Sequence, residues 1–424
     1  MSEQELKKNV KLYPSYRAFG YDFLFLWTIS ILYLTEVKGL SYSQVIFLDS
    51  VLMLVGFFVQ VPITKLINKF GRTPMIRFAS VAWLGFSVIY LFGEGMPIFI
   101  FANVLYGIGM AIRNVSDIGI LSLSLKRLNR KREFSKIEGK AVFIYNLVEA
   151  FSAITAGYLY EFVNPYAPIV GTLICCIISV VLSWLIKDPV DDEDEKREEQ
   201  LAQESQSKKE PSYKALLKRP FVISMIIFCF SFYGMTSVFS SLAKMYYQNI
   251  HAPAYLFGYI FCALKLLSAV VSKYEFKYEL KKGVKSLIIF VAILLITYTV
   301  NGIVYSINPS AVASIIIITI MIVGQQVSRS AYRIAVKNYI NSCSTKRGLS
   351  KTLTLYSMAE YLGYASITMF TSLILKISGD SYVVANLSLV GLLVIPLIVG
   401  VILFSRALIK SYMTRCTIIR KDLE

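Results

Sequence analysis

Arg113 and Asp117 stand four residues apart inside GIGMAIRNVSDIG, residues 107–119, a stretch otherwise made mostly of small and apolar residues. On a helix that spacing sets a guanidinium and a carboxylate one turn apart on the same face, where they pair or jointly meet a polar ligand. A charge at the centre of a bilayer costs roughly 2.5 to 3.5 kcal/mol even on the lenient insertion scale, so such groups require compensation. The same requirement attaches to Asp22, Asp49, Glu149, Lys265, Arg329, Arg333 and Glu360, which also interrupt apolar runs. The planar guanidinium fork suits carboxylate and phosphate oxygens, so Arg113 and Arg329 point to an anionic or amphipathic small molecule. A proton, if one is coupled, needs a titrating group. The chain has one histidine, His251, in the loop-like QNIHAPA, which leaves a carboxylate to do this, with Asp117 and Glu149 first and Glu360 as a rival. The alternative for Arg113 and Asp117 is a structural ion pair that holds their helix to a neighbour. Tyr33, Tyr106, Tyr145, Tyr233 and Tyr356 are the aromatics placed to line an amphipathic pocket.

Hydropathy determines the elements that carry these residues. The chain has 424 residues, 56% of them hydrophobic, and a mean hydropathy of +0.59, above that of a water-soluble globule. Apolar runs centre on residues 19–35, 44–64, 74–93, 97–124, 139–161, 167–186, 221–243, 254–272, 286–306, 310–335, 351–374 and 383–405. Each approaches the ~20 residues that cross ~30 Å of hydrocarbon as helix. The polar opening MSEQELKKNVKLYPSYRA is not followed by a small-residue cleavage site, so the first span is expected to be retained.

The net charge of +17 is distributed as in a membrane protein rather than a nucleic-acid binder. Of 44 Lys and Arg, 37 fall in the N-terminus, the C-terminus and the even-numbered connections together with the span ends beside them (Arg77, Lys140 and Lys351), 3 in the odd-numbered connections and 4 deeper in the spans. That asymmetry predicts cytoplasmic termini. Cys175, Cys176, Cys229 and Cys262 lie in apolar runs without metal-type spacing and read as packing residues. No phosphate loop, metal cluster, cofactor loop or nucleophile with a base is visible, so the sequence calls for no cofactor and no enzyme activity, and uphill movement must draw on a gradient.

Residues 188–218, DPVDDEDEKREEQLAQESQSKKEPSYKALLK, form a polar linker between an N-terminal half, 1–187, and a C-terminal half, 219–424. The halves read as a parallel repeat. GIGMAIRNVSDIG and FSKIEGKAVFIYNLVEAFSAITAGYL match VGQQVSRSAYRIA and LSKTLTLYSMAEYLGYASITMFTSLI, with Tyr145 to Glu149 answering Tyr356 to Glu360.

The connection TKLINKFGRTPMIR resembles the loop motif of the major facilitator superfamily. Gly71 and Arg72 fit it, Lys69 replaces its first Arg, Asn68 stands where Asp is usual and Thr64 where its first Gly is usual. GLSYSQVIFLDS and SLKRLNRKREFSKIEGKA also resemble bacterial members. The resemblance implies an all-α membrane fold of twelve helices in two pseudo-symmetric six-helix bundles, a monomer in the bacterial plasma membrane, and alternating access about a central site lined by helices 1, 4, 7 and 10. It assigns Asn68, Lys69, Gly71 and Arg72 to a cytoplasmic latch. It also makes helices 5 and 8 neighbours. Glu149 lies nine residues from Lys140 and Lys265 eight from Lys273, depths of about 12 to 14 Å from the cytoplasmic side, so an ion pair between them is expected. The function this predicts is proton-coupled export of an amphipathic or anionic small molecule. Import of an organic anion, flipping of a lipid-linked precursor and a non-transporting receptor are the alternatives.

Overall fold

A computed structural model describes residues 3–20, 23–130, 133–189, 212–282, 285–343 and 349–423. Its elements are α1 (Glu3–Phe19), α2 (Phe25–Leu32, continued by a wide turn Tyr33–Val37), α3 (Tyr42–Phe70), α4 (Arg72–Phe92), α5 (Met96–Arg127), α6 (Phe134–Tyr158, continued by Leu159–Val163) and α7 (Ala167–Leu185). After the linker come α8 (Tyr213–Leu217), α9 (Pro220–Ser237), α10 (Phe239–Asn249), α11 (Ala254–Lys282), α12 (Lys285–Ile307), α13 (Val312–Cys343), α14 (Leu349–Ser378) and α15 (Tyr382–Leu423).

Among the described residues nine helical segments are long and apolar enough to cross a membrane, and Phe25–Val37 and Ala254–Ser268 are shorter apolar helices. With the 30-residue α14 they account for all twelve apolar runs. The protein is a multi-pass integral membrane protein. Its helices start where local chemistry allows: Ser41 and Gln44 form a reciprocal capping box on α3, and prolines open α5, α7 and α9, where a missing N–H costs nothing.

Two compact units emerge, Met1–Lys208 with His251–Lys265, and Lys209–Ile250 with Leu266–Glu424. The start of α11 therefore packs with the first unit, although the sequence reading gives it to the C-terminal half. A pair of glycines explains this. A Cβ on Gly157 of α6 would lie 2.6 Å from the Ala254 carbonyl oxygen, and one on Gly258 would lie 2.6 Å from that of Ala153. Backbone meets backbone there, an approach that only glycine permits.

In each unit the first span is interrupted. α1 stops at Phe19 and α2 resumes at Phe25, with Leu24 at φ 39°, a backbone state that a branched residue rarely adopts. Thr172 of α7 repairs the break by accepting from the Leu26 N–H at 3.0 Å and donating to the Phe23 carbonyl at 3.0 Å. We expect Thr172→Val, which keeps the shape and removes the hydroxyl, to cost about 1–3 kcal/mol, read as a lowered unfolding midpoint in detergent. In the second unit α9 gives way to α10 at Val238, and the Met235 carbonyl accepts from the Tyr298 hydroxyl of α12 at 2.7 Å. Interrupted helices at corresponding places of two repeats mark regions where a membrane protein handles polar ligands.

The segment 3–19, polar in sequence, is helical and docked. Leu6, Asn9, Tyr13 and Tyr16 are buried along one face, while Lys7, Lys8 and Lys11 are exposed. Asn9 exchanges two hydrogen bonds with the backbone of Lys187, at 2.7 and 3.0 Å, tying the start of the first unit to the end of α7.

Candidate functional site

Two charged clusters occupy the first unit. In the first, Arg113 of α5 is 1% exposed. Its Nη2 donates to Ser80 Oγ of α4 and Ser179 Oγ of α7, each at 2.7 Å. The guanidinium lies 4.4 Å from the Trp83 ring and 5.0 Å from that of Tyr16. Asp117, 2% exposed, accepts from the Tyr16 hydroxyl at 3.1 Å. A Cβ on Gly20 would fall 1.9 Å from Arg113 Nη1, so the arginine occupies space that the glycine leaves.

This differs from the direct pairing expected of the two charges. Among the described residues no direct ion pair joins Arg113 to Asp117: Tyr16 contacts both, with its ring toward the guanidinium and its hydroxyl donating to the carboxylate. Their face is buried. It points into the helix packing of the unit, where serines and aromatic faces hold the cation and a cage of Ile76, Ile120 and Ile186 packs around Tyr16. One turn before Asp117 the Ser80 and Ser179 partners lie 33 and 66 residues away in sequence, beyond any helical periodicity.

Below this cluster Arg17 donates to the Tyr13 hydroxyl at 2.9 Å and to the Glu138 carboxylate of α6, which also accepts from Tyr13 at 2.7 Å. Neither Arg17 nor Glu138 stood out in the sequence. The available signal was the spacing of Leu6, Asn9, Tyr13, Tyr16 and Arg17, which keeps one face of a helix.

The second cluster forms where α6 crosses α11. From the glycine crossing, eight residues along α6 lead to Glu149 and seven along the antiparallel α11 lead to Lys265, nearly the same level. The two side chains form an ion pair, Glu149 with 3% of its side chain exposed and Lys265 with 29%. The Lys265 ammonium also lies 4.4 Å from the Trp27 ring of α2, and Phe261 meets that ring edge-on at 5.4 Å. The first cluster is sealed. The second keeps one charged member accessible, so it is the arrangement suited to exchanging partners.

The architecture has known counterparts. A point mutant of the nucleoside transporter NupG covers 96% of this chain and 100% of its own at a TM-score of 0.71 and 6% identity. A bacterial homologue of the human lysosomal transporter Spinster, inward-facing and unoccupied, gives 0.69 at 12% identity, covering 97% and 99%. A D-xylose–proton symporter gives 0.69 at 11%, covering 93% and 97%. At these identities the likeness is one of fold. No curated protein matches the chain. The family model described as Major Facilitator Superfamily matches residues 13–365. This chain belongs to the major facilitator superfamily.

It is thus a secondary transporter for a small-molecule substrate rather than an enzyme. The superfamily's loop between the second and third spans is built on Gly71, whose φ of 84° ends α3 and starts α4 at once. Asp188 caps α4 by accepting from the Thr73 N–H at 3.0 Å, a contact 115 residues apart that the sequence did not reveal. Arg72 reaches the Val115 carbonyl at 3.4 Å, whereas Lys69 is exposed and the side chain of Asn68 lies outside the described residues. These bonds fasten the loop to its own unit.

Asp22 lies outside the described residues, as does the side chain of Arg333. Asp49 is half-buried on α3. In the second unit Arg329 of α13 and Glu360 of α14 are half-buried, and Glu360 accepts from Tyr356 one turn earlier. Tyr33 donates to the Tyr90 carbonyl at 2.8 Å, and Tyr106 stacks between Phe23, at 3.9 Å, and Trp83, at 4.6 Å, so both serve the packing of the first unit.

Proposed function

We propose that this superfamily member is a proton-coupled exporter of an anionic or amphipathic small molecule, working by alternating access in a bacterial plasma membrane with both termini cytoplasmic. Its coupling and binding centre is the Glu149–Lys265 pair, and Arg113 with Asp117 serves the framework of the first half. One observation carries this reading: a buried carboxylate is matched to the ammonium of a partly accessible lysine side chain within apolar spans. Such a pair is costly to build and costly to break, and a site that alternates between an internal partner and an outside one uses that balance. Arg329 and Glu360, both half-buried, are the candidates of the second half. The lysine-rich even-numbered connections support the orientation.

The test is uptake and efflux in reconstituted vesicles with imposed pH or sodium gradients, screened over organic anions and lipophilic cations. Movement driven by sodium and indifferent to pH would end the proton assignment. Charge exchange tests the residues: Glu149→Lys and Lys265→Glu should each lower transport at least about tenfold, and the double variant should recover much of it, since a broken pair leaves an uncompensated charge worth about 3–5 kcal/mol. Absence of rescue, in variants that remain folded, would remove the pair from the mechanism.

A further inference from the structure

We infer that Lys265 is the docking group for a carboxylate on an apolar body, and that Glu149 takes up a proton as the carboxylate binds. The inference rests on the transporter reading above and names the chemistry of its site. Accessibility orders the two residues: a ligand reaching the pair meets the Lys265 side chain, 29% exposed, before that of Glu149, 3% exposed. Trp27 lies 4.4 Å from the ammonium and Phe261 stands edge-on to Trp27, so the surface beside the charge is aromatic and favours an apolar body attached to the anion.

Charge balance then dictates the proton. The pair is neutral when Lys265 carries its proton and Glu149 does not. A carboxylate that accepts from the Lys265 N–H groups replaces Glu149 as their acceptor and brings one negative charge into apolar surroundings. A proton from water that forms an O–H bond on a Glu149 oxygen restores neutrality, leaving ammonium, bound carboxylate and uncharged carboxylic acid. A cationic ligand has no such route: it must displace Lys265 from both Glu149 and Trp27 and then sit beside it.

Other titratable groups lie on the elements packed against α6, several of them with partners of their own. α1 brings Tyr13 and Arg17, bound to Glu138 near the start of α6. The continuation of α2 brings Tyr33, bound to Tyr90, and Glu36, which accepts from Tyr160. α5 brings Arg113, bound to its serines, and Asp117, bound to Tyr16. α7 brings the buried Cys175 and Cys176, and α6 itself carries Tyr145 one turn before Glu149. Proton and carboxylate then move together, so the direction follows the sum of the carboxylate and pH gradients, and an inside-acid pH gradient drives export.

The experiment is titration calorimetry on the purified full-length protein, with 4-phenylbutyrate, 4-phenylbutylamine and 4-phenylbutanol as probes. Each is measured at neutral pH in two buffers of different ionisation enthalpy, which counts protons. Expected is millimolar or tighter binding of the carboxylate, at least tenfold tighter than of the amine or alcohol, with uptake of about one proton. Glu149→Gln should bind the carboxylate with no proton uptake. Lys265→Gln should lose at least tenfold in affinity while Lys265→Arg retains it, a contrast that separates a lost contact from a misfolded protein. Lys265→Gln affinity within twofold of wild type, or no carboxylate binding at all, overturns the site. Binding without proton uptake overturns the linkage. Vesicles that move solutes while either of these fails leave the transporter reading standing, and vesicles that move none remove that reading itself.

Discussion

Arg113→Ala is expected to lower stability by about 3–5 kcal/mol, read as a large fall in the unfolding midpoint and in monodisperse yield from detergent. The arginine is 1% exposed and, one turn from the buried Asp117, is the cation that compensates it, with Tyr16 contacting both. Without it Asp117 remains as a buried negative charge beside Tyr16, and the faces of Trp83 and Tyr16 lose their cation. Asp117→Asn in the same chain should return part of the loss, because the uncompensated charge is then gone. The position of Arg113 at the centre of a span suggests, on sequence grounds, a variant that folds normally and does not transport. A variant with wild-type stability and no transport would restore that substrate-site reading and refute the framework role.

Gly258→Leu should abolish transport and also destabilise, by about 1–3 kcal/mol from overpacking. A Cβ there meets the Ala153 carbonyl oxygen at 2.6 Å and Ile154 Cα at 2.9 Å, and backbone cannot step aside as a flexible side chain does. α11 must retreat from α6, which carries Lys265 away from Glu149. Gly391 supplies the control, since a Cβ there meets nothing within 4 Å. Gly391→Ala should therefore be neutral or stabilising by up to about 1 kcal/mol, with transport intact. The decisive readout is the pairing: if Gly258→Leu still transports at the wild-type rate, the crossing does not set the geometry of the site.

Much of this protein was legible in its residues alone. The twelve apolar runs and the loop around Gly71 and Arg72 located the spans and the family, because hydrocarbon thickness converts directly into a number of helical residues. Depth was legible for the same reason. A rise of about 1.5 Å per residue placed Glu149 and Lys265 at one level, the family resemblance made their helices neighbours, and the cost of a lone charge made them partners, which they are. Azimuth was not legible. Periodicity put Arg113 and Asp117 on one face of α5, yet only packing decided that Arg113 meets Ser80 and Ser179, and that Tyr16 contacts both charges. The interruption of the first span, its repair by Thr172, the docking of α1 and the cap from Asp188 belong to the same class. Depth in a bilayer is a one-dimensional quantity set by each segment's own hydrophobicity, whereas the partner a side chain meets is set by how several helices pack together, through contacts separated by tens to more than a hundred residues.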